Sequence, residues 1–121
     1  MTKSKLKQYL NNNPDINSIE LLSYLNTPEL ITRYGHKAWY LNGKIHRIDG
    51  PALEYNNGEK YWYLNGKLHR TNGPAVEYAD EYKAWYKHGK RHREDGPAVI
   101  TKTGRGIWYL NDKFIRFSQN N

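Results

Sequence analysis

Lys60-Tyr61-Trp62-Tyr63-Leu64-Asn65-Gly66-Lys67-Leu68-His69-Arg70-Thr71-Asn72-Gly73-Pro74 decides the fold, because it is the clearest copy of a pattern that recurs along the chain. The four tryptophans, Trp39, Trp62, Trp85 and Trp108, stand 23 residues apart, and so do Pro28, Pro51, Pro74 and Pro97. Arg47, Arg70, Arg93 and Arg116 keep the same spacing, as do Lys44, Lys67, Lys90 and Lys113, and His46, His69 and His92. Recurrence in so many residue types without a slip makes each block one structural unit that shares a core with its neighbours.

Within a unit, Asn42-Gly43 and Asn65-Gly66 lie between β-forming residues and signal type I′ hairpin turns, which need positive φ at both central positions. His88-Gly89 and Asn111-Asp112 hold the equivalent places with a weaker signal. Treating Asn42-Gly43 as a two-residue loop sets Leu41 opposite Lys44, Tyr40 opposite Ile45 and Trp39 opposite His46. The same treatment of Asn57-Gly58 sets Leu53 opposite Trp62 and Tyr55 opposite Lys60. One face then carries Leu53, Tyr55, Trp62, Leu64 and His69, with Tyr40, Ile45, Ala52 and Arg47 on the other. The tryptophan face is expected to be the buried one, its indoles forming a ladder among Leu53, Val76 and Val99. Gly50-Pro51, Gly73-Pro74 and Gly96-Pro97 mark bends where a ladder N–H is missing.

Ahead of the array, Leu6, Tyr9 and Leu10 have helical spacing, and Ile19, Leu21, Leu22 and Leu25 resume it after Asn13-Pro14-Asp15. Asn17 followed by Glu20 reads as a capping box that starts a second helix near residues 18 to 25. Its apolar face is expected to cover the first repeat, since an array's open end exposes unpaired strand edges. The fold class read from these features is mainly β: an antiparallel meander of four hairpin repeats with a short α-helical N-terminal cap. The cap occupies 1–27, and the repeats 28–50, 51–73, 74–96 and 97–119.

Composition narrows the function classes. The chain has 121 residues, 37% hydrophobic, with eleven tyrosines, four tryptophans and no cysteine, and a mean hydropathy of −1.00. A thin, aromatic-stapled sheet suits that balance better than a thick two-layer core. Disulfides and thiolate metal sites are excluded. No apolar run is long enough to cross a bilayer, and MTKSKLKQYL lacks the apolar core of a secretory signal, so the expected location is cytoplasmic, without membrane insertion. The formal charge is +7, and the array from Pro28 onward, with sixteen Lys and Arg against ten Asp and Glu, holds six of those charges. Such a surplus favours phosphates, anionic lipids or an acidic protein face, or serves solubility alone.

The segment Asn-Gly-Lys-x-His at Asn42 to His46 and Asn65 to His69, with the 23-residue period, resembles MORN repeats. Arg47, Arg70 and Arg93 follow the histidine where MORN units have glycine. The fuller pattern Trp-Tyr-x-Asn-Gly-x-x-His-Arg-x-x-Gly-Pro-Ala, spread over residues 28 to 117, is similar to repeats of bacteriophage and giant-virus proteins. That resemblance implies an open, twisted, MORN-like hairpin sheet and a viral origin, with the host cytoplasm as location, and implies no particular activity. MORN proteins serve mainly as scaffolds that contact phospholipids or protein partners.

Chemistry-bearing residues recur one per unit, whereas catalysis needs one constellation of different groups, so no enzyme, metal or cofactor is expected. His46, His69 and His92 are read as repeat-core residues with Trp39, Trp62, Trp85 and Trp108, each stacking on the opposite indole and bonding a backbone carbonyl. Asp49 and Asp95, with Asn72 in register, are read as turn caps before Gly-Pro. The candidate partner-binding residues are Arg47, Arg70, Arg93 and Arg116, with Lys87, Lys90 and Arg91 in the dense run Lys87 to Arg93. Tyr40, Tyr63 and Tyr86 stand near enough to stack a base beside an arginine-bound phosphate. The competing structural reading pairs each arginine with a local acid such as Glu54 or Glu77 and lays it over a tyrosine. The chain is thus expected to be a non-enzymatic binding module, a viral accessory protein that blocks or scaffolds a host protein. The alternative is a protein that binds or sequesters nucleic acid or a phosphorylated small molecule through its basic rows. The last strand, Trp108 to Phe117, is expected to pair with a second copy as a homodimer.

Overall fold

The computed structural model describes residues 2–16 and 18–118. Two helices lead the chain. In α1 (Lys3–Asn12) the Thr2 hydroxyl accepts from the Lys5 N–H, and in α2 (Ile19–Leu25) the Ser18 hydroxyl accepts from the Leu21 N–H. Asn17, the expected cap, lies outside the described residues; Ser18 performs that role.

Fourteen short strands follow: β1 (Glu29–Arg33), β2 (His36–Leu41), β3 (Lys44–Ile45), β4 (Leu53–Glu54), β5 (Lys60–Tyr61), β6 (Tyr63–Leu64) and β7 (Lys67–Leu68), then β8 (Val76–Glu77), β9 (Lys83–Ala84), β10 (Tyr86–Lys87), β11 (Lys90–Arg91), β12 (Val99–Ile100), β13 (Gly106–Leu110) and β14 (Lys113–Phe117). The main sheet runs β1-β2-β4-β5-β8-β9-β12-β13-β14, antiparallel at every step. This is the expected open meander. A side hairpin projects from each of the first three units: β3 folds back on β2, β7 on β6 and β11 on β10. Their turns have the expected positive φ at both centres: 52° and 77° at Asn42-Gly43, 49° and 79° at Asn65-Gly66, and 51° and 83° at His88-Gly89. Asn111-Asp112, between β13 and β14, has 48° and 66°. Leu41 opposes Lys44 and Tyr40 opposes Ile45, as the turn chemistry requires.

The connection at the other end of each unit differs from expectation. Tyr55 N–H donates to the Glu59 carbonyl across three loop residues, and only the last of them, Gly58, has positive φ, at 95°. Such a loop is a turn closed by one left-handed residue, and its extra residue slides the strands by one position. Leu53 therefore opposes Tyr61 rather than Trp62, and Glu54 opposes Lys60. The same loop recurs at 79–81 and 102–104. The two-residue register occurs only in the first unit, where Tyr34-Gly35 makes a further I′ turn and Leu30 opposes Trp39. In the second of the three-residue loops the left-handed position is filled by Glu81, at φ 74°, where its equivalents are Gly58 and Gly104. Glu81→Gly is expected to stabilise the fold by about 1 kcal/mol by removing that strain, read as a higher urea midpoint.

The one-residue shift turns the sheet over relative to the expected core. A single row of opposed residues crosses the whole sheet on one face: Ile31, Ala38, Leu53, Tyr61, Val76, Ala84, Val99, Ile107 and Phe117. Val76, Ala84 and Val99 are buried at its centre, packed by Tyr61, Leu68, Tyr78, Tyr82, Tyr86, Ile107 and Tyr109. Successive residues of a strand face opposite ways, so Trp62 and Trp85 stand on the reverse face, half-buried, and no indole ladder lies among Leu53, Val76 and Val99. Ala52, Ala75 and Ala98 are fully buried and stitch adjacent units: the Trp39, Trp62 and Trp85 N–H groups donate to their carbonyls.

The helices do not cover the first repeat as expected. All five residues of β1 are exposed, and so are Tyr9, Ile19, Leu22 and Tyr24 of the helices. Polar contacts to the first repeat run from Lys7 Nζ to Asn42 Oδ1 and from Lys3 to Glu29, and Leu25 of α2 is buried. Three lysines in α1 leave it only a narrow apolar stripe, of which Leu6 and Leu10 are half-buried. At the other end, β14 occupies the place beside β13 that the first strand of a following unit would take, with Phe117 opposite Ile107.

Candidate functional site: a repeated arginine and tryptophan row

Each repeat arginine lies on the tryptophan of its own hairpin. The guanidinium carbon is 3.9 Å from the ring centroid for Arg47 on Trp39 and for Arg70 on Trp62, 4.0 Å for Arg93 on Trp85 and 4.3 Å for Arg116 on Trp108. Nη1 of Arg47, Arg70 and Arg93 donates to the carbonyl of Pro51, Pro74 and Pro97 at 3.0–3.1 Å. Nε donates to Asp49 in the first unit and to Asp95 in the third, while Arg70 instead reaches Glu77 through Nη1. Asp49 and Asp95 thus steady a guanidinium. Asp49 and Asp95 are exposed, so their ion pairs contribute little; the stacking on a half-buried indole is worth about 0.5–2 kcal/mol each.

Glycine at 50, 73 and 96 makes room for this arrangement. A Cβ there would lie 2.9, 3.0 and 2.7 Å from the guanidinium carbon of Arg47, Arg70 and Arg93. The pattern His-Arg-x-x-Gly-Pro therefore encodes one object: a loop that folds its arginine back over the tryptophan and holds it with the proline carbonyl.

The histidines link one unit to the next. Nδ1 of His46 accepts from the Asn65 N–H at 2.9 Å, His69 from His88 at 2.9 Å and His92 from Asn111 at 3.1 Å. The expected partner was a carbonyl; an amide N–H takes its place because the first turn residue of the next hairpin points at the ring. An accepting Nδ1 carries no proton, which fixes the Nε2–H tautomer. Burial, with the His88 ring and Lys87 beside it, pushes the His69 pKa below its ordinary 6.5. A lowered pKa means that the folded chain binds fewer protons than the unfolded one. The stabilisation is thus complete above pH 6.5 and is lost as pH falls below it through the lowered value. The urea midpoint is expected to drop between about pH 7 and pH 5, and to drop less in His69→Asn, whose side-chain oxygen accepts without titrating.

The remaining candidates are dispersed. Tyr63 and Tyr86 have their side chains on the core face, opposite the stacked guanidinium groups of Arg47, Arg70 and Arg93, with burial raising their hydroxyl pKa values, and Tyr86 faces Arg91 across its own hairpin. Tyr40 is exposed on that same face near α1. Arginine and tyrosine rows are therefore not brought together for joint phosphate and base recognition. Arg91 pairs with Asp112 at 2.9 Å and stacks on Tyr109 at 4.0 Å, while Lys87 and Lys90 are exposed at the tip of the third hairpin.

Between successive Gly-Pro loops lie two equivalent grooves. One, of about 630 Å³, is lined by Arg47, Asp49, Trp62, Arg70 and Asn72; the other, of about 740 Å³, by their counterparts 23 residues on, Arg70, Asn72, Trp85, Arg93 and Asp95. Each offers an indole beside an arginine and an acid or amide. Composition and spacing pointed to the arginines and tryptophans; the grooves depend on the loop's path and had no separate signal. No helix among the described residues is long and apolar enough to cross a membrane. Comparison with protein-family models, with curated proteins and with solved structures found no match.

Proposed function

We propose that the chain is a non-enzymatic binding module that holds an extended segment of a partner protein along its row of Gly-Pro loops. The observation that carries this reading is the pair of grooves in 23-residue register. A peptide rises by about 3.3 Å per residue and presents alternate side chains, so successive anchors of one segment suit successive equivalent pockets. Indole, guanidinium and carboxylate together match the aromatic and arginine character of protein contact sites. The identification of the partner as a host protein rests on the resemblance to phage and giant-virus repeats. Photo-crosslinkers at Thr71 and Glu94, exposed at the two grooves, are expected to capture the same protein from host lysate, while one at Lys102 captures none. Equal capture from all three positions would refute the reading.

A phosphate-binding reading retains support from the net charge and from the exposed Lys87 and Lys90. Its arginines are already engaged by indoles, carbonyls and acids, so it rests on lysines. Anisotropy of a labelled single strand is then expected to fall with salt and with Lys87→Ala/Lys90→Ala. Absence of binding at low salt removes it.

A further inference from the structure

The two ends of the sheet are both open, and they differ in kind. At β14 the register shifts between Trp108 and Tyr109, leaving Ile115 without an opposite residue, and Lys113 and Arg116 flank it. Bulges and cations of this sort blunt an edge against pairing. At β1, five residues pair without a bulge, Glu29 with Tyr40 through Arg33 with His36, and the charges at its two ends are opposite in sign. Leu30 and Ile31 remain 50% and 52% exposed.

We infer that two copies of the chain join through β1, antiparallel about a two-fold axis at Ile31. The sequence Glu29-Leu30-Ile31-Thr32-Arg33 is complementary to itself in that register: Glu29 meets the other copy's Arg33, Leu30 meets Thr32, and Ile31 meets Ile31. Two opposite-charge pairs form and no like charges are opposed. Backbone geometry agrees. Arg33 and His36 flank a two-residue turn and so exchange hydrogen bonds, as do Ile31 with Ala38 and Glu29 with Tyr40. The N–H and C=O groups of Leu30 and Thr32 therefore point outward, and each exchanges two bonds with its counterpart, four in all. Glu29 is held only by a 3.7 Å contact to Lys3, and Arg33 has no acid partner among the described residues. The row of opposed residues from Ile31 to Phe117 continues across the axis into its copy. An axis perpendicular to the sheet keeps both sets of Gly-Pro loops on the same face, so the pair presents its grooves twice to one ligand or surface.

The test is sedimentation equilibrium on the full chain. Wild type is expected to reach twice the 14.3 kDa monomer mass. Glu29→Arg alone or Arg33→Glu alone places like charges opposite each other at both ends and is expected to weaken association about tenfold or more. An equimolar mixture of the two single variants has both pairs opposite in sign and is expected to associate again, as is Glu29→Arg/Arg33→Glu with itself. Circular dichroism confirms that each variant is folded, since the exchanged side chains are exposed. Wild type remaining monomeric at millimolar concentration overturns the inference, as does undiminished association of either single variant, a mixture that stays monomeric, or a mass that climbs beyond two copies.

Discussion

Trp85→Ala is expected to lower stability by about 2–3 kcal/mol, below the range of a fully buried tryptophan because the indole is half-buried, and still a large share of the roughly 5–15 kcal/mol that a domain of this size holds. The indole lies under the guanidinium of Arg93 at 4.0 Å, and the Trp85 backbone N–H donates to the carbonyl of the fully buried Ala98. Truncation keeps the backbone bond and leaves Arg93 over a void. Because each unit touches only its neighbours, damage in the third unit weakens contacts on both sides. Trp108 has a unit on one side only and a looser arginine at 4.3 Å, so Trp108→Ala is expected to cost less. Urea unfolding followed by far-ultraviolet circular dichroism ranks the two; equal losses would show that the central indole is not a shared support.

Gly96→Ala is expected to cost about 1–3 kcal/mol, although the backbone there is not left-handed. The new methyl would stand 2.7 Å from Cζ of Arg93 and 2.9 Å from Nη1. The guanidinium must shift, which loosens its contacts with the indole and the Pro97 carbonyl. In an Arg93→Ala background the three nearest atoms are gone and the same methyl is expected to cost much less. A double-mutant cycle by urea unfolding therefore predicts a coupling that is most of the cost of Gly96→Ala. Strictly additive losses would assign this glycine some other duty.

The hairpins were legible because Asn-Gly declares its turn type locally: positive φ at two consecutive positions admits few residues, and the flanking register follows. Tyr34-Gly35 makes the same turn without that signature, its tyrosine accepting φ 53°, and nothing in the sequence set it apart. Asn57-Gly58 carried the signature and misled, since Asn56 joins the loop and only Gly58 is left-handed. That single residue decided which aromatic row is buried. Arginine and tryptophan were visible as rows, yet their mutual contact required knowing that the Gly-Pro loop turns back over its own hairpin. The histidine's acceptor role was hidden for a similar reason, because its partner is 19 residues away in the next unit.

The placement of β14 bears on how such a chain can grow. Copying 23 residues into the middle of the array would give the newcomer a matching hairpin before it and another after it. Adding them behind Phe117 would find the berth beside β13 already filled by β14. A unit inserted between existing hairpins thus meets a match on both sides, whereas one laid against β13 must first displace β14.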